Sequence, residues 1–206
     1  MTPPPVSFDL LRRLEGDEQA WFIDCLEREV APRLVTAPKG YARGRRSAWL
    51  AWEPPLGDKF EVKEQPKGEL WRRLKELLPD AETAECWRNG RESSRGIHPH
   101  MDSSYAAPLA YLLNLGETRF RLWLPREEVP HALLARKKVN AKLIEYQASL
   151  EGGELIAFNC KRYHGSQSDA DSRWGIGLWS FKREWRDRAR FISSETGQPL
   201  DHSANP

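Results

Sequence analysis

The sequence predicts a mainly β fold with flanking helices (α+β), with helices first and an antiparallel β core after them. Three observations predict it. Before residue 80 apolar residues recur at helical spacings; after it, short apolar or alternating runs are separated by turn residues. The 206 residues are also enough for one domain with a real hydrophobic core.

The opening "MTPPPVSFDL" lacks the basic and apolar regions of a signal peptide, and its proline run reads as loosely held. Residues 7–31 carry Phe8, Leu11, Leu14, Trp21, Phe22, Cys25 and Leu26 at helical intervals. They predict two short helices, the second from about Asp17 to Val30, with Pro32 helping to stop it. "GELWRRLKELLPD" (68–80) puts Leu70, Trp71, Leu74 and Leu77 on one helical face and ends at Pro79. "RNGRESSRG" (88–96) reads as a loop. Strands are expected in "APLAYLLNLG" (107–116), "TRFRLWL" (118–124), "GELIAFNC" (153–160) and "RWGIGLWSF" (173–181), an arrangement that suggests a barrel or sandwich. Residues 126–147 interrupt this core as an insertion or lid with some helical character. The expected organisation is a single domain: helical support over about 7–79, a β core over about 80–185, and a polar tail over 186–206.

Composition narrows the function. Apolar residues make up 39% and charged residues 30%, as in soluble globular proteins. No apolar run approaches the length of a membrane span, so no membrane role is expected and the cytoplasm is the expected compartment. The cysteines, Cys25, Cys86 and Cys160, are odd in number, scattered and without a C-x-x-C, which argues against a disulfide framework and a thiolate zinc site. A net charge of +2 is too mild to argue for nucleic acid by itself. The basic clusters "RGRR" (43–46), "ARKKVNAK" (135–142) and "KREWRDRAR" (182–190) read first as solvated faces, with an anionic substrate or nucleic acid as the alternative.

The chemistry concentrates in "RGIHPHMDSS" (95–104). An iron that must bind oxygen and a chelating co-substrate together needs open positions, and two histidines with one carboxylate on one face leave them. His100 and Asp102 form an H-x-D, with both side chains able to lean to one side where a strand ends in a turn. Of five histidines, His131 lies in the interrupting segment and His202 in the tail, so His164, after the strand "GELIAF", is the natural third ligand. Arg173 follows nine positions later and opens an alternating strand. If the strand that carries His164 pairs with the next, Arg173 can project into the same barrel mouth and clamp a carboxylate bidentately. That is the task set by a dicarboxylic 2-oxo acid.

These residues, together with "LEGGELIAFNCKRYHGSQSDADSRW", resemble the iron(II)/2-oxoglutarate-dependent oxygenase superfamily over about residues 80–185. The resemblance implies a double-stranded β-helix (jelly-roll) core supported by the N-terminal helices. It implies that His100, Asp102 and His164 hold Fe(2+) and that Arg173 binds the far carboxylate of 2-oxoglutarate. O2 is then the oxidant, succinate and CO2 are released, and ascorbate is a supporting reductant. Many members place Ser or Thr two residues after that arginine; Gly175 stands there, so Tyr111 is the candidate hydroxyl donor and Trp179 a candidate pocket wall. His98, Arg91, Arg95 and Tyr105 are candidate substrate contacts, His98 also fitting the rim of the site. Trp87, Trp123, Trp174 and Trp185 fit either the core or a substrate pocket. With Asp102 present, hydroxylation or demethylation is implied.

The expected partner is a small-molecule or amino-acid-type substrate, and the oligomeric state is left open. One alternative is a nucleic-acid or protein demethylase or hydroxylase; for the repair enzymes, Trp179 stands where a second arginine is typical. The other is a non-catalytic, cupin-like metal-binding module, which would place a glutamate three or four residues after an H-x-H; Ser103, Ser104 and Tyr105 stand instead.

Overall fold

A computed structural model describes residues 8–37, 44–55, 60–90, 96–116, 118–123, 144–167 and 172–200. The chain opens on a strand rather than a helix: β1 spans Phe8–Arg13 and pairs antiparallel with β11 (Glu154–Asn159). The apolar spacing misleads here because Leu10 and Leu11 stay about half exposed, at 50% and 49%, while the sheet edge satisfies the backbone. The second expected helix is present. Helix α1 (Gly16–Cys25) opens with Asp17 and Glu18 in its first turn, where the helix dipole favours acids. It runs on through Leu26–Val30 in wider turns, with the Ala31 N–H reaching back to the Leu26 carbonyl.

The strands β2 (Val35–Thr36), β3 (Arg46–Leu50), β4 (Trp52–Glu53) and β5 (Glu61–Glu64) follow. The first 79 residues therefore supply five strands as well as helices, a correction to the helical support expected there. Helix α2 (Glu69–Leu77) lies where the spacing predicts it and buries Leu70, Trp71 and Leu74, with Leu77 partly covered.

The β core is formed by β6 (Thr83–Gly90), β7 (Gly96–His100), β8 (Ala106–Leu115), β9 (Thr118–Trp123), β10 (Ile144–Leu150), β11, β12 (His164–Gln167) and β13 (Ser172–Phe181). A short helix α3 (Arg183–Arg186) and strand β14 (Arg190–Ile192) close the described chain. The large sheet has the order β1-β11-β8-β13-β6-β3-β2, the small one β10-β9-β12-β7, and a third β14-β5-β4. From β6 to β13 the chain passes back and forth between the large and small sheets, the winding of a double-stranded β-helix. Because β12 pairs with β7 and β9, and not with β13, Arg173 faces the His164 strand from the opposite sheet instead of from beside it.

The register of β13 sorts the large sheet into two faces. Trp174, Ile176 and Leu178 stand opposite Leu115, Leu113 and Tyr111 of β8 and opposite Arg88, Cys86 and Ala84 of β6. This outer face meets the helical layer; Trp174 Nε1 donates to Glu27 at 2.9 Å. Arg173, Gly175, Gly177 and Trp179 belong to the inner face, opposite Asn89, Trp87, Glu85 and Thr83 of β6. Both faces of β13 are thus covered, which explains its nearly continuous apolar run. No helix among the described residues is long and apolar enough to cross a membrane.

The interrupting segment lies outside the described residues as far as 143, and residues 144–147 belong to β10. Arg91 and Arg95 also lie outside them, and His98 is described only as part of β7.

Candidate metal centre

Strand β7 ends on His100, and the turn after it presents Asp102. The Asp102 N–H donates to the Cys160 carbonyl at 2.9 Å, and Lys161 Nζ donates to the carbonyls of Ser103 at 2.6 Å and Asp102 at 3.2 Å. The turn before β12 therefore grips the turn after β7. His164, the first residue of β12, stands in register with His100, and the two rings lie 4.4 Å apart between centroids.

His100 Nε2 and His164 Nε2 approach the same oxygen of Asp102, at 3.4 and 3.5 Å. Donor atoms at right angles around an ion with bonds of about 2.1 Å would lie about 3 Å apart, so these three atoms need to move only slightly to share one. His164 Nδ1 lies 3.0 Å from the Arg162 carbonyl, a contact in which Nδ1 donates, so that Nε2 is the nitrogen turned toward Asp102. Trp179 Nε1 donates to the other oxygen of Asp102 at 2.7 Å. One oxygen is thereby held for the protein and the other presented to the histidines. Burial pushes the Asp102 carboxyl up, but the neighbouring His164 and His100 outweigh it and hold it well below the ordinary carboxylate range.

A second group with ligand-like spacing, Cys25, Glu29 and Glu69, is already occupied by a cation. The Arg28 guanidinium reaches Cys25 Sγ at 3.3 Å, Glu29 at 3.3 Å and Glu69 at 2.8 Å.

The group of His100, Asp102 and His164 opens on a cavity of about 710 Å³, bounded by the small sheet at His100 and His164 and by the inner face of the large sheet at Trp87, Gly177 and Trp179. No protein-family model matches the chain, and no curated protein matches it in sequence. Solved structures do. A Trichoplax adhaerens prolyl hydroxylase, in complex with a hypoxia inducible factor oxygen degradation domain peptide, is 12% identical with a TM-score of 0.56, over 88% of this chain and 86% of that one. A Burkholderia pseudomallei oxidoreductase of the 2OG-Fe(II) oxygenase family is 14% identical with a TM-score of 0.52, over 84% of each chain. HygX from Streptomyces hygroscopicus, with nickel and 2-oxoglutarate bound, is 13% identical with a TM-score of 0.52, over 84% of this chain and 82% of that one. The chain has the fold of the 2-oxoglutarate/iron(II) oxygenases.

The residues suit the groups such oxygenases use. Two imidazole nitrogens and one carboxylate oxygen form the donor set of an iron that keeps positions open. Arg173 suits the co-substrate's far carboxylate: it is 1% exposed, and its Nε and Nη1 donate to Asn114 Oδ1 at 2.9 Å and Asn89 Oδ1 at 3.3 Å. Its Nη2 is buried without a partner among the described residues. Burial first, then the charge of Arg45, lowers it to about 9, so it stays charged at neutral pH with no acid against it among the described residues.

Tyr111 does not meet this arginine. It borders the cavity, but the register sets it opposite Leu178, on the face turned away from Arg173 and Gly177. Asn114, opposite Gly175, is the residue that reaches the guanidinium. Trp179 lines the cavity and also donates to Asp102, a contact that the sequence did not suggest. Tyr105 also lines it while packing on Phe181 and Trp185 at 6.0 and 5.9 Å. Of the four tryptophans weighed for a pocket, Trp87 is in the wall, Trp174 faces the helices and Trp185 packs in the aromatic core; the side chain of Trp123 lies outside the description. Asn89, Asn114 and the Arg162 carbonyl escaped the sequence reading because nothing local marks them; only the strand register brings them to the site.

Proposed function

We propose that the protein is a single-domain Fe(2+)- and 2-oxoglutarate-dependent dioxygenase that hydroxylates a small-molecule or amino-acid-type substrate, releasing succinate and CO2. One observation carries this reading. His100, Asp102 and His164 converge at the wall of a cavity whose other sheet buries Arg173 without an acidic partner among the described residues. A metal-binding module alone has no use for a buried cation of this kind, and burying it costs stability.

In this reading His100, Asp102 and His164 would hold the iron, and the bond from Trp179 holds one Asp102 oxygen while the other faces the two histidines. Arg173 fixes the far carboxylate of 2-oxoglutarate, oriented by Asn114 and Asn89. Iron with 2-oxoglutarate and O2 supplies the oxidising chemistry, and ascorbate supports it by keeping the metal reduced. The protein contributes placement and exclusion of water. Phe158 packs edge-on against His164 at 4.9 Å, and Tyr105, Leu112 and Ile97 form apolar walls beside the ligands. The cavity volume is of the size that encloses a small organic ligand rather than a duplex, which favours the small-molecule substrate.

The test is succinate formation by the purified protein given ferrous salt, 2-oxoglutarate and air. The reading predicts succinate from the wild type and none above background from His164→Ala. A wild type that forms no succinate, or a variant that forms as much, contradicts it.

A further inference from the structure

Arg45 stands on the same inner face as the proposed co-substrate site and has no role in the reading above. It immediately precedes Arg46, which pairs with Arg88, so it stands level with Asn89, and Asn89 pairs with Arg173. Neighbouring strands lie about 4.8 Å apart, so the main chains of Arg45 and Arg173 are roughly 10 Å apart across one row of the sheet. Both side chains are buried, at 6% and 1% exposure. Each keeps one buried N–H group without a partner among the described residues, Nε of Arg45 and Nη2 of Arg173.

Among the described residues the charges of this corner do not balance. Arg45 Nη2 donates to Glu85 at 2.6 Å, and its guanidinium lies over the Trp87 ring at 4.8 Å. Among the described residues Arg173 has the two amide oxygens alone. Two guanidinium groups and one carboxylate leave one positive charge, and the charge of Arg45 already depresses Arg173. Access differs as well. The cavity is walled by Arg45, Glu85, Trp87 and Gly177, but Arg173 and Gly175 are not part of its wall. The Trp87 indole covers Gly175 so closely that a Cβ there would lie 2.7 Å from it. An acid coming from the metal centre along β13 therefore meets Arg45 in the cavity before it meets Arg173.

We propose that Arg45 is a second anchor for the far carboxylate of the co-substrate, which lies beside Trp87 and bridges Arg45 and Arg173. This rests on the oxygenase reading. It makes the site selective for a 2-oxo dicarboxylic acid: one further negative charge neutralises the corner and satisfies both open N–H groups. Glu85 holds Arg45 in place and, as a like charge beside the incoming carboxylate, moderates the affinity.

The experiment measures dissociation constants of 2-oxoglutarate and of 2-oxobutyrate, which lacks the far carboxylate, on the metal-loaded protein without oxygen. For Arg45→Met the affinity for 2-oxoglutarate falls about tenfold to a hundredfold while that for 2-oxobutyrate stays within about twofold. Arg45→Met leaves Glu85 buried without its cation, so Arg45→Met/Glu85→Gln is measured alongside and shows the same selective loss. Glu85→Gln alone, which retains both arginines, binds 2-oxoglutarate about threefold or more tighter. An equal loss for both acids in the double variant shows a merely structural residue and overturns the inference, as does an unchanged preference for the dicarboxylate. A wild type that binds neither acid overturns the oxygenase reading itself and the inference with it.

Discussion

Asp102 has two oxygens, and the fold uses them differently. One faces both imidazoles and the other accepts the Trp179 indole N–H. On the proposed reading the indole would act on a metal ion through the carboxylate it orients. Trp179→Phe keeps most of the ring and removes the donor, and it is expected to weaken metal binding about tenfold to a hundredfold, read by competition with a chelating dye; unchanged affinity would leave the indole as wall alone. Asn114 is the matching case at the other end of the site. It is fully buried, donates to the carbonyls of Gly116, Leu150 and Glu151, and accepts from Arg173. Asn114→Leu is expected to destabilise the protein by about 3 kcal/mol or more in urea unfolding, since buried carbonyls and a buried cation lose their partner; a loss under about 1 kcal/mol would contradict that account. At this scale the convergence of His100, Asp102 and His164 was legible because few residue types bind iron and these three follow a recognisable spacing. Trp179 and Asn114 were not, because their functions depend on which strand lies opposite.

Strand β13 carries the site's geometry through its small residues. Gly175 and Gly177 leave the inner face bare, and the indoles of Trp87 and Trp179 lie on it. A Cβ at Gly177 would sit 2.5 Å from Trp179 Cη2 and 3.1 Å from Trp87 Cζ3. Gly177→Ala is therefore expected to cost about 1–3 kcal/mol of stability and to weaken metal binding, although residue 177 touches no ligand atom. Equilibrium dialysis against a divalent metal reads the second effect, and undiminished binding would show that Trp179 adapts without releasing Asp102. The turn before β11 shows the opposite use of glycine. Gly153 has φ +86°, and a Cβ there would meet the Leu14 carbonyl at 2.8 Å, so the Gly-Gly pair noticed in the sequence has a steric cause. Element types were legible where one period dominated, as in α2 and β13. They failed at β1, where six residues with helical spacing took the edge of a sheet beside β11, a strand more than a hundred positions away.

Across the whole molecule, the winding between two sheets brings residues far apart in the chain onto one cavity. The small sheet brings His100 and His164 to its wall and the large sheet brings Trp179, while Arg173 lies buried on the same strand as Trp179, outside that wall. The barrel class was readable from composition and turn spacing. The sheet assignment was not, because adjacency in sequence suggested that β12 and β13 pair when each belongs to a different sheet. The division of labour between the sheets also separates two losses: removing a small-sheet ligand should remove the metal, whereas removing the large-sheet cation should spare it. The most direct measurement is calorimetric titration of 2-oxoglutarate into the ferrous protein without oxygen, with iron content determined on the same samples. The account predicts stoichiometric iron and saturable binding in the wild type, loss of both in His164→Ala, and full iron with binding weakened at least tenfold in Arg173→Met. An Arg173→Met protein that binds 2-oxoglutarate as the wild type does, or a His164→Ala protein that keeps its iron, would contradict it.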